Sequence, residues 1–383
     1  MSERRGRGRE YRETVQSVDT RIAVSGIRGK STLVRLLHDV LHERGRDTFA
    51  KVTGDRPVTL TNGEERPIER RGAQVTLYEN RALLTRAAEH LAAVGPEHVG
   101  VAIFENHAIT EYTMRVFNET FLRPQVVAVP NIRTDHTETL GRTRQDIARS
   151  FARSIPPGTH VVCGERNDAI YDYFAAEVAA RDATVTRVEV PAEHRDRPGA
   201  EVVFAVDKVL AAVDEPPADT GRLLDRLSRM QPAWRRLEGG QLVFNAAKVN
   251  DPESTELFRR QLAGADEAEG ELICPFVFLR GDRRGRTESF VRYLNRLADH
   301  GLVDRAHVAG ENGRSFARRA AVDVTVHDAA TDAPEAVLDA VLAEGQPVMT
   351  MANTVHPFMR AFVAAMQERT VESVPIAAEV RPT

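Results

Sequence analysis

From residue 20 onward, short apolar runs alternate with longer amphipathic stretches, and few architectures accept that alternation. Runs at 21–26, 47–52, 99–104, 125–130 and 159–163 predict strands, with helices between them at 31–44, 80–93, 111–121, 143–154 and 168–180. Strands that are apolar at successive positions and separated by helices belong to a parallel sheet covered on both faces. A second series begins near residue 240. QLVFNA, LICPFVFL, DRAHVAG, VDVTVHD and QPVMTM predict strands, and 254–263, 286–299, 312–319, 333–344 and 355–368 predict helices. The intervening VPAEHRDRPGAE and DEPPADTGR are rich in Pro and charge and are expected to be loops or insertions.

The first predicted strand runs directly into GIRGKST and then into an amphipathic segment. Gly26 and Gly29 let backbone N–H groups turn inward, and the helix opening at Ser31 presents its positive dipole end, so a phosphate can sit there. Lys30 would reach the outer phosphates and the Ser31 hydroxyl would bind Mg²⁺. The full pattern G-x-x-x-x-G-K-S/T needs a glycine at position 24, where the chain has Val24. The alternative is a plain glycine turn with a solvated lysine. The expected fold class is therefore α/β: a P-loop parallel-sheet ATPase domain followed by a smaller Rossmann-like α/β domain. The expected divisions are a basic disordered tail at 1–19, a central domain at 20–236 and a C-terminal domain at 237–383.

A triphosphate needs metal, and metal needs hard ligands at strand ends on the same sheet edge. Glu105 directly follows the strand in VGVAIFENHAI. Asn131, Asp135 and His136 follow another in VVAVPNIRTDHTETLG. A solvated loop glutamate and a structural histidine are the competing readings. At 383 residues, 42% hydrophobic and 28% charged, the chain can bury two cores. Its net charge of −4 gives no nucleic-acid footprint, so no nucleic-acid partner is expected. Cys163 and Cys274 lie in or beside apolar runs and form no CxxC pair, which favours buried thiols in a reducing compartment. No apolar run approaches the roughly 18 residues of a membrane span, and the N-terminus lacks the apolar core of a signal peptide, so the expected location is cytoplasmic.

GIRGKST, the Glu105 segment and NIRTDHTETLG, in this order, resemble the Mur ligase superfamily of ATP-dependent amide-forming ligases. Its usual forms are G-T-x-G-K-S/T-S/T and N-x-x-x-D-H-x-D-x-x-G. KVTG at 51–54, NDPEST at 250–255 and RGDRRGRT at 280–287 resemble the branch that ligates capsular poly-γ-glutamate. The resemblance covers roughly 20–300 and weakens from 301.

The resemblance implies that Lys30 and Thr32 contact ATP phosphates and that Ser31 and Glu105 hold one Mg²⁺, with His136 on a second. WRRLEGG at 234–240 resembles the element that opens the C-terminal domain, with Arg236 reaching the γ-phosphate across a domain cleft. Asn250 would face the base and Asp282 the ribose, while Arg283, Arg284 or Arg286 supplies positive charge. Solvated arginines and a turn with a helix N-cap at 250–252 are the plainer alternatives. The implied reaction activates a carboxylate as an acyl phosphate for attack by an amine, with an amino-acid or γ-glutamyl substrate. Membrane-protein partners of a polymer synthase are implied too, and a homo-oligomer is left open. A P-loop regulatory module and a phosphotransferase acting on a hydroxyl are the alternatives.

Departures from the family fall on the substrate side. No lysine lies between Lys51 and Lys208, so the carbamylated metal-bridging lysine of many Mur ligases is absent. The family's E-C-M-A is Glu105-Asn106-His107-Ala108 here, and its L-E-D-H-M-D spans Arg133 to Glu138. These changes put glutamate in doubt as substrate. Neither the relatives' hydrophobic anchor nor the UDP-binding domain of the cell-wall enzymes precedes residue 20, so a UDP-sugar substrate is not expected.

Overall fold

Alternate residues of the first apolar runs enter two different cores. In β1 (Thr20–Val24), Ile22 and Val24 join one cluster and Ala23 the other. In β5 (Gly100–Glu105), Val101 and Ile103 join the first, and Ala102 and Phe104 the second. Burial on both faces is why these strands are apolar at successive positions. The computed structural model describes residues 11–54, 57–69, 77–93, 100–247, 249, 251–263, 272–351 and 356–374. The chain divides into two units, Met1–Pro191 with Gly199–Leu227, and Ala192–Pro198 with Ser228–Thr383.

The first unit is built on one eight-stranded sheet. Its other strands are β2 (Asp47–Val52), β3 (Val58–Thr61), β4 (Glu64–Pro67), β6 (Val126–Val129), β7 (His160–Cys163) and β8 (Thr184–Arg187). Their order is β4-β3-β2-β5-β1-β6-β7-β8. The run from β2 to β8 is parallel, as expected, while β3 and β4 add an antiparallel edge. That edge carries no apolar run because every residue of β4 is exposed. Helices Leu77–Ala92, Arg144–Arg153 and Asp168–Ala179 cover one face. Helices Lys30–Glu43, Ala200–Ala211 and Thr220–Met230 cover the other.

One helix in this unit is not among those expected, and one expectation needs correction. Between the Pro-rich stretches around 190–201 and 214–222 lies helix Ala200–Ala211, packed on helix Lys30–Glu43. Its sequence is apolar on most sides, so it lacks the one-sided stripe that marks a surface helix. Residues 11–19 are not a disordered tail: 11–16 are helical, Val15 and Val18 are buried, and the Tyr11 hydroxyl donates to the Phe121 carbonyl at 3.3 Å. Residues 11 and 15 are spaced to share one helix face and Val18 follows just beyond the helix, which is enough to dock a short segment. Residues 1–10 lie outside the described residues.

The second unit carries β9 (Trp234–Leu237), β10 (Leu242–Ala246), β11 (Cys274–Leu279), β12 (Arg305–Gly310), β13 (Asp323–His327), β14 (Val348–Met351) and β15 (Thr370–Val374). Their order is β13-β12-β11-β14-β10-β9-β15. The first five are parallel, and β9 and β15 are antiparallel additions. Helix Arg284–Asp299 lies on one face, and Pro334–Leu342 and Pro357–Glu368 on the other. The boundary expected at residue 236 falls inside β9, where Arg236 pairs with Leu242 of β10; the chain instead divides at Leu227 and Ser228. Two arginines in a four-residue strand hide it from an apolar-run reading. Cys163 and Cys274 are buried free thiols, and burial pushes both thiol pKa values up to about 12. Among the described residues no helix is long and apolar enough to cross a membrane.

Candidate active site

β5, β1 and β6 are neighbours, so the loops that leave their carboxyl ends share one sheet edge. The loop after β1 turns on Gly26, at φ 99°, and Gly29, at φ 79°, before helix Lys30–Glu43 begins. Both lie in the left-handed region that favours glycine. Space imposes a second demand, because a Cβ on Gly29 would lie 2.4 Å from Val202 Cγ2. The Ser25 amide donates to the Ala128 carbonyl at 2.8 Å. Asn131 then clasps Arg28 from the next loop, accepting its N–H at 3.0 Å and donating to its carbonyl at 3.1 Å. Lys30 curls over this turn, its Nζ donating to the carbonyls of Gly26 at 2.9 Å and Ile27 at 3.1 Å. Desolvation lowers the Lys30 pKa, and Arg28 adds to the effect against Glu105 and Asp135.

Glu105 ends β5 almost fully buried, 3% exposed. One of its oxygens, Oε2, accepts the Ser31 hydroxyl and the Thr53 amide, each at 2.8 Å. The Asn106 amide donates to the Val24 carbonyl at 2.8 Å, which ties the ends of β5 and β1 together. After β6, Asp135 pairs with Arg28 at 2.7 Å and accepts the His136 amide at 2.8 Å. His136 has φ 53°, uncommon for a residue with a side chain, and its Nε2 lies 3.9 Å from Asp135 Oδ2.

Two buried carboxylates brace the 130–136 segment. Glu201 accepts Asn131 at 3.1 Å, Arg133 at 2.9 Å and Arg166 at 2.8 Å. Glu165 accepts the Ile132 amide at 2.9 Å and Arg144 at 2.7 Å. Sequence reasoning passed over both. Glu165 stands two residues beyond β7, a strand-end position of the kind that marked Glu105. Glu201 opens a helix remote in sequence from all its partners and gives no such signal.

The structure thus brings together Gly26, Gly29, Lys30, Ser31, Thr32, Glu105 and His136 on the loops at one sheet edge and the helix that opens there. Among the described residues no three His, Cys, Asp or Glu side chains converge to hold a metal alone. The donor set nonetheless suits Mg²⁺ with a nucleotide. Ser31 and Glu105 offer hard oxygens at one point, and Mg²⁺ is commonly held by one or two carboxylates with substrate phosphates completing its shell.

In the second unit Arg236 stands in β9, while Asp282, Arg283, Arg284 and Arg286 cluster where β11 leads into helix Arg284–Asp299. Arg236 Nε lies 3.4 Å from Glu372 Oε2 of β15. Asp282, beyond β11, is held by Arg280 through two hydrogen bonds of 2.8 and 2.6 Å, with Arg283 Nε at 3.9 Å. Arg284 begins helix Arg284–Asp299, and Arg286 lies in its first turn. Asn250 lies outside the described residues. The neighbouring Asp251 caps helix Pro252–Ala263, accepting the Ser254 amide at 2.8 Å.

Residues 235–369 match the family described as "Poly-gamma-glutamate synthase CapB C-terminal domain". The chain is 27% identical over 303 residues to "Capsule biosynthesis protein CapB" of Bacillus anthracis, covering 74% of this chain and 62% of that protein. It is 26% identical over 299 residues to "PGA synthase CapB" of Bacillus subtilis, covering 74% and 73%. The chain therefore spans less than two thirds of the length of the first relative. Among solved structures it is similar to Escherichia coli FolC in complex with ADP, with TM-score 0.64, 14% identity and coverage of 94% and 93%. It is also similar to the bifunctional folylpolyglutamate synthase/dihydrofolate synthase of Yersinia pestis complexed with AMPPNP and Mn, with TM-score 0.63, 17% identity and coverage of 95% and 93%. The two α/β units have the Mur ligase fold of the folylpolyglutamate synthases, and the second matches the poly-gamma-glutamate synthase CapB C-terminal family.

Proposed function

We propose that the protein is an ATP- and Mg²⁺-dependent ligase that joins a carboxylate to an amino-acid amine, with poly-γ-glutamate synthesis as the specific reaction. The observation that carries this reading is the shared Glu105 oxygen, which draws the hydroxyl after the loop lysine to the end of the neighbouring strand. Similarity to proteins named for capsule and PGA synthesis supports the polymer.

A carboxylate is a poor electrophile. Transfer of the γ-phosphoryl group of ATP to one of its oxygens gives an acyl phosphate, and an amine then displaces phosphate to form the amide. The protein's task is to hold the partners in line and to offset the charge on the phosphate oxygens. Mg²⁺, when bound, supplies part of that charge. Amides of the turn 26–31 and the helix start would receive phosphate oxygens, with Lys30 and Thr32 on the outer phosphates. Ser31 and Glu105 would hold one metal ion and His136 a second. Arg236 and Arg284 would add charge from the C-terminal domain, Asn250 would meet the base, and Asp282 would bond the ribose. A cytoplasmic location beside membrane-protein partners fits a polymer that must be exported.

The test is ATP-dependent phosphate release by the purified chain with Mg²⁺ and a panel of amino acids, followed by product mass. Release that depends on an amino acid, with an amide product, is expected. Lys30→Ala should lower it at least ~100-fold. A phosphorylated hydroxyl product, or nucleotide binding without turnover, would overturn the ligase reading.

A further inference from the structure

Hydrogen bonds to one residue, Asn131, decide which way the peptides of the phosphate turn face. The Asn131 carbonyl accepts the Ile27 amide at 3.3 Å, and its side-chain oxygen accepts the Arg28 amide at 3.0 Å. In a trans peptide the C=O and the N–H point to opposite sides. The carbonyls of Gly26 and Ile27 therefore face away from Asn131, and there they meet Lys30 Nζ at 2.9 and 3.1 Å. The next peptide is reversed. Its carbonyl, that of Arg28, faces Asn131 and accepts Nδ2–H at 3.1 Å. The N–H of Gly29 therefore points to the side on which the Lys30 ammonium lies.

Asn131 holds this pattern with its amide one way round only. A backbone N–H only donates and a carbonyl only accepts, so the side-chain oxygen faces the Arg28 amide and the nitrogen the Arg28 carbonyl. Nδ2 also donates to Glu201 Oε1 at 3.1 Å, and an ionised carboxylate only accepts, so Glu201 enforces the same orientation. Glu201 is buried; it takes Arg133 on the same oxygen and Arg166 on the other. Val202, next along helix Ala200–Ala211, stands where a Cβ on Gly29 would go. One helix start thus meets the turn at two points, at Arg28 through Asn131 and at Gly29 directly.

We infer that Glu201 is a positioning residue for nucleotide binding: by holding the Asn131 amide it keeps the Arg28–Gly29 peptide turned so that the Gly29 N–H receives a phosphate oxygen. The inference rests on the ligase reading above and adds to that site a residue from a helix remote in sequence from the phosphate turn.

The full-length protein is titrated calorimetrically with ADP and Mg²⁺, which reads affinity and the number of competent sites separately. Two substitutions divide the reach of Glu201 from its charge. Glu201→Asp keeps the charge for Arg133 and Arg166 but draws the oxygen back from Asn131 by about one C–C bond, ~1.5 Å. Glu201→Gln keeps the reach and loses the charge; its oxygen can stay on Asn131 and Arg133 while Arg166, 31% exposed, turns outward. Glu201→Asp should weaken ADP about 10-fold with the number of sites unchanged, and Glu201→Gln should stay within about threefold of the parent. Asn131→Asp, which sets an oxygen against the Arg28 carbonyl, should weaken ADP about 10- to 100-fold, the span of a hydrogen bond to a charged group. In protein labelled with nitrogen-15 at glycine, the Gly29 amide proton should move downfield when ADP and Mg²⁺ are added to the parent, and less in Glu201→Asp. A purely structural role would lower the number of sites at unchanged affinity. That result, parental affinity in Glu201→Asp, or a Gly29 amide that does not respond in the parent would overturn the assignment, while amide formation by the parent leaves the ligase reading standing. A parent that binds ADP and forms no amide overturns the ligase reading alone, and a parent that binds no ADP overturns both.

Discussion

Ser31 Oγ and Glu105 Oε2 are 2.8 Å apart, and the same carboxylate oxygen takes the Thr53 amide at 2.8 Å. One atom therefore joins the start of helix Lys30–Glu43, the end of β5 and the loop after β2. Glu105→Gln keeps the shape and a carbonyl acceptor but removes the charge. Unfolding free energy should fall by about 1 kcal/mol, the scale of a weakened hydrogen bond. Phosphate release should fall more than ~100-fold, about 2.7 kcal/mol in the barrier. Urea denaturation and the release assay measure the two effects, and normal turnover in this variant would remove Glu105 from the metal site.

Gly29→Ala tests whether the turn is shaped by backbone conformation or by its neighbour. The left-handed φ of 79° costs an alanine roughly 1–2 kcal/mol. The approach to Val202 Cγ2, 2.4 Å from the new Cβ, adds about 1–3 kcal/mol of overpacking. Val202→Ala should relieve only the second part. In a double-mutant cycle by urea denaturation, a favourable coupling of about 1 kcal/mol or more is expected between the two substitutions. Strict additivity would show that the contact with Val202 carries no strain.

The central parallel strands and most of their helices were legible because burial on both faces leaves a continuous apolar run, as in 99–104 and 125–130. The antiparallel additions were not. β4 is wholly exposed, and β9 places Arg235 and Arg236 between Trp234 and Leu237, so neither resembles a buried strand. The candidate site was legible where polar residues follow a strand end within a short loop, as at Lys30, Glu105 and His136. It was illegible where the partner arrives from far along the chain. Glu201 meets Arg133 68 residues away, and no local pattern announces that pairing.

Glu201→Ala would take from the guanidinium of Arg133, itself 5% exposed, the carboxylate it meets at 2.9 Å. Removing one member of a buried ion pair costs about 3–5 kcal/mol. The damage should concentrate in the 130–136 segment, since Asn131 loses the same partner. Hydrogen exchange should quicken there before it quickens in β11 or β12. Uniform exchange with unchanged stability would mean that the Glu201 network does not brace the segment.

The second unit contains a pH-dependent contact of its own. His307 in β12 and His327 in β13 stack at 5.1 Å, with His307 Nδ1 2.8 Å from His327 Nε2, and His307 Nε2 lies 3.1 Å from Glu344. Desolvation lowers the pKa of both rings, and for His327 the neighbouring His307 adds to it. The folded state therefore binds fewer protons than the unfolded chain between the lowered values and the usual imidazole value near 6.5. Stability rises with pH wherever the unfolded state binds more protons, so this contribution is complete above that value and is lost as pH falls below it. The urea midpoint should drop between pH 7.5 and pH 5.5. His327→Gln should flatten the drop, since the amide can still donate to His307 and does not titrate in this range. An equal drop in the variant would assign the acid sensitivity to other groups.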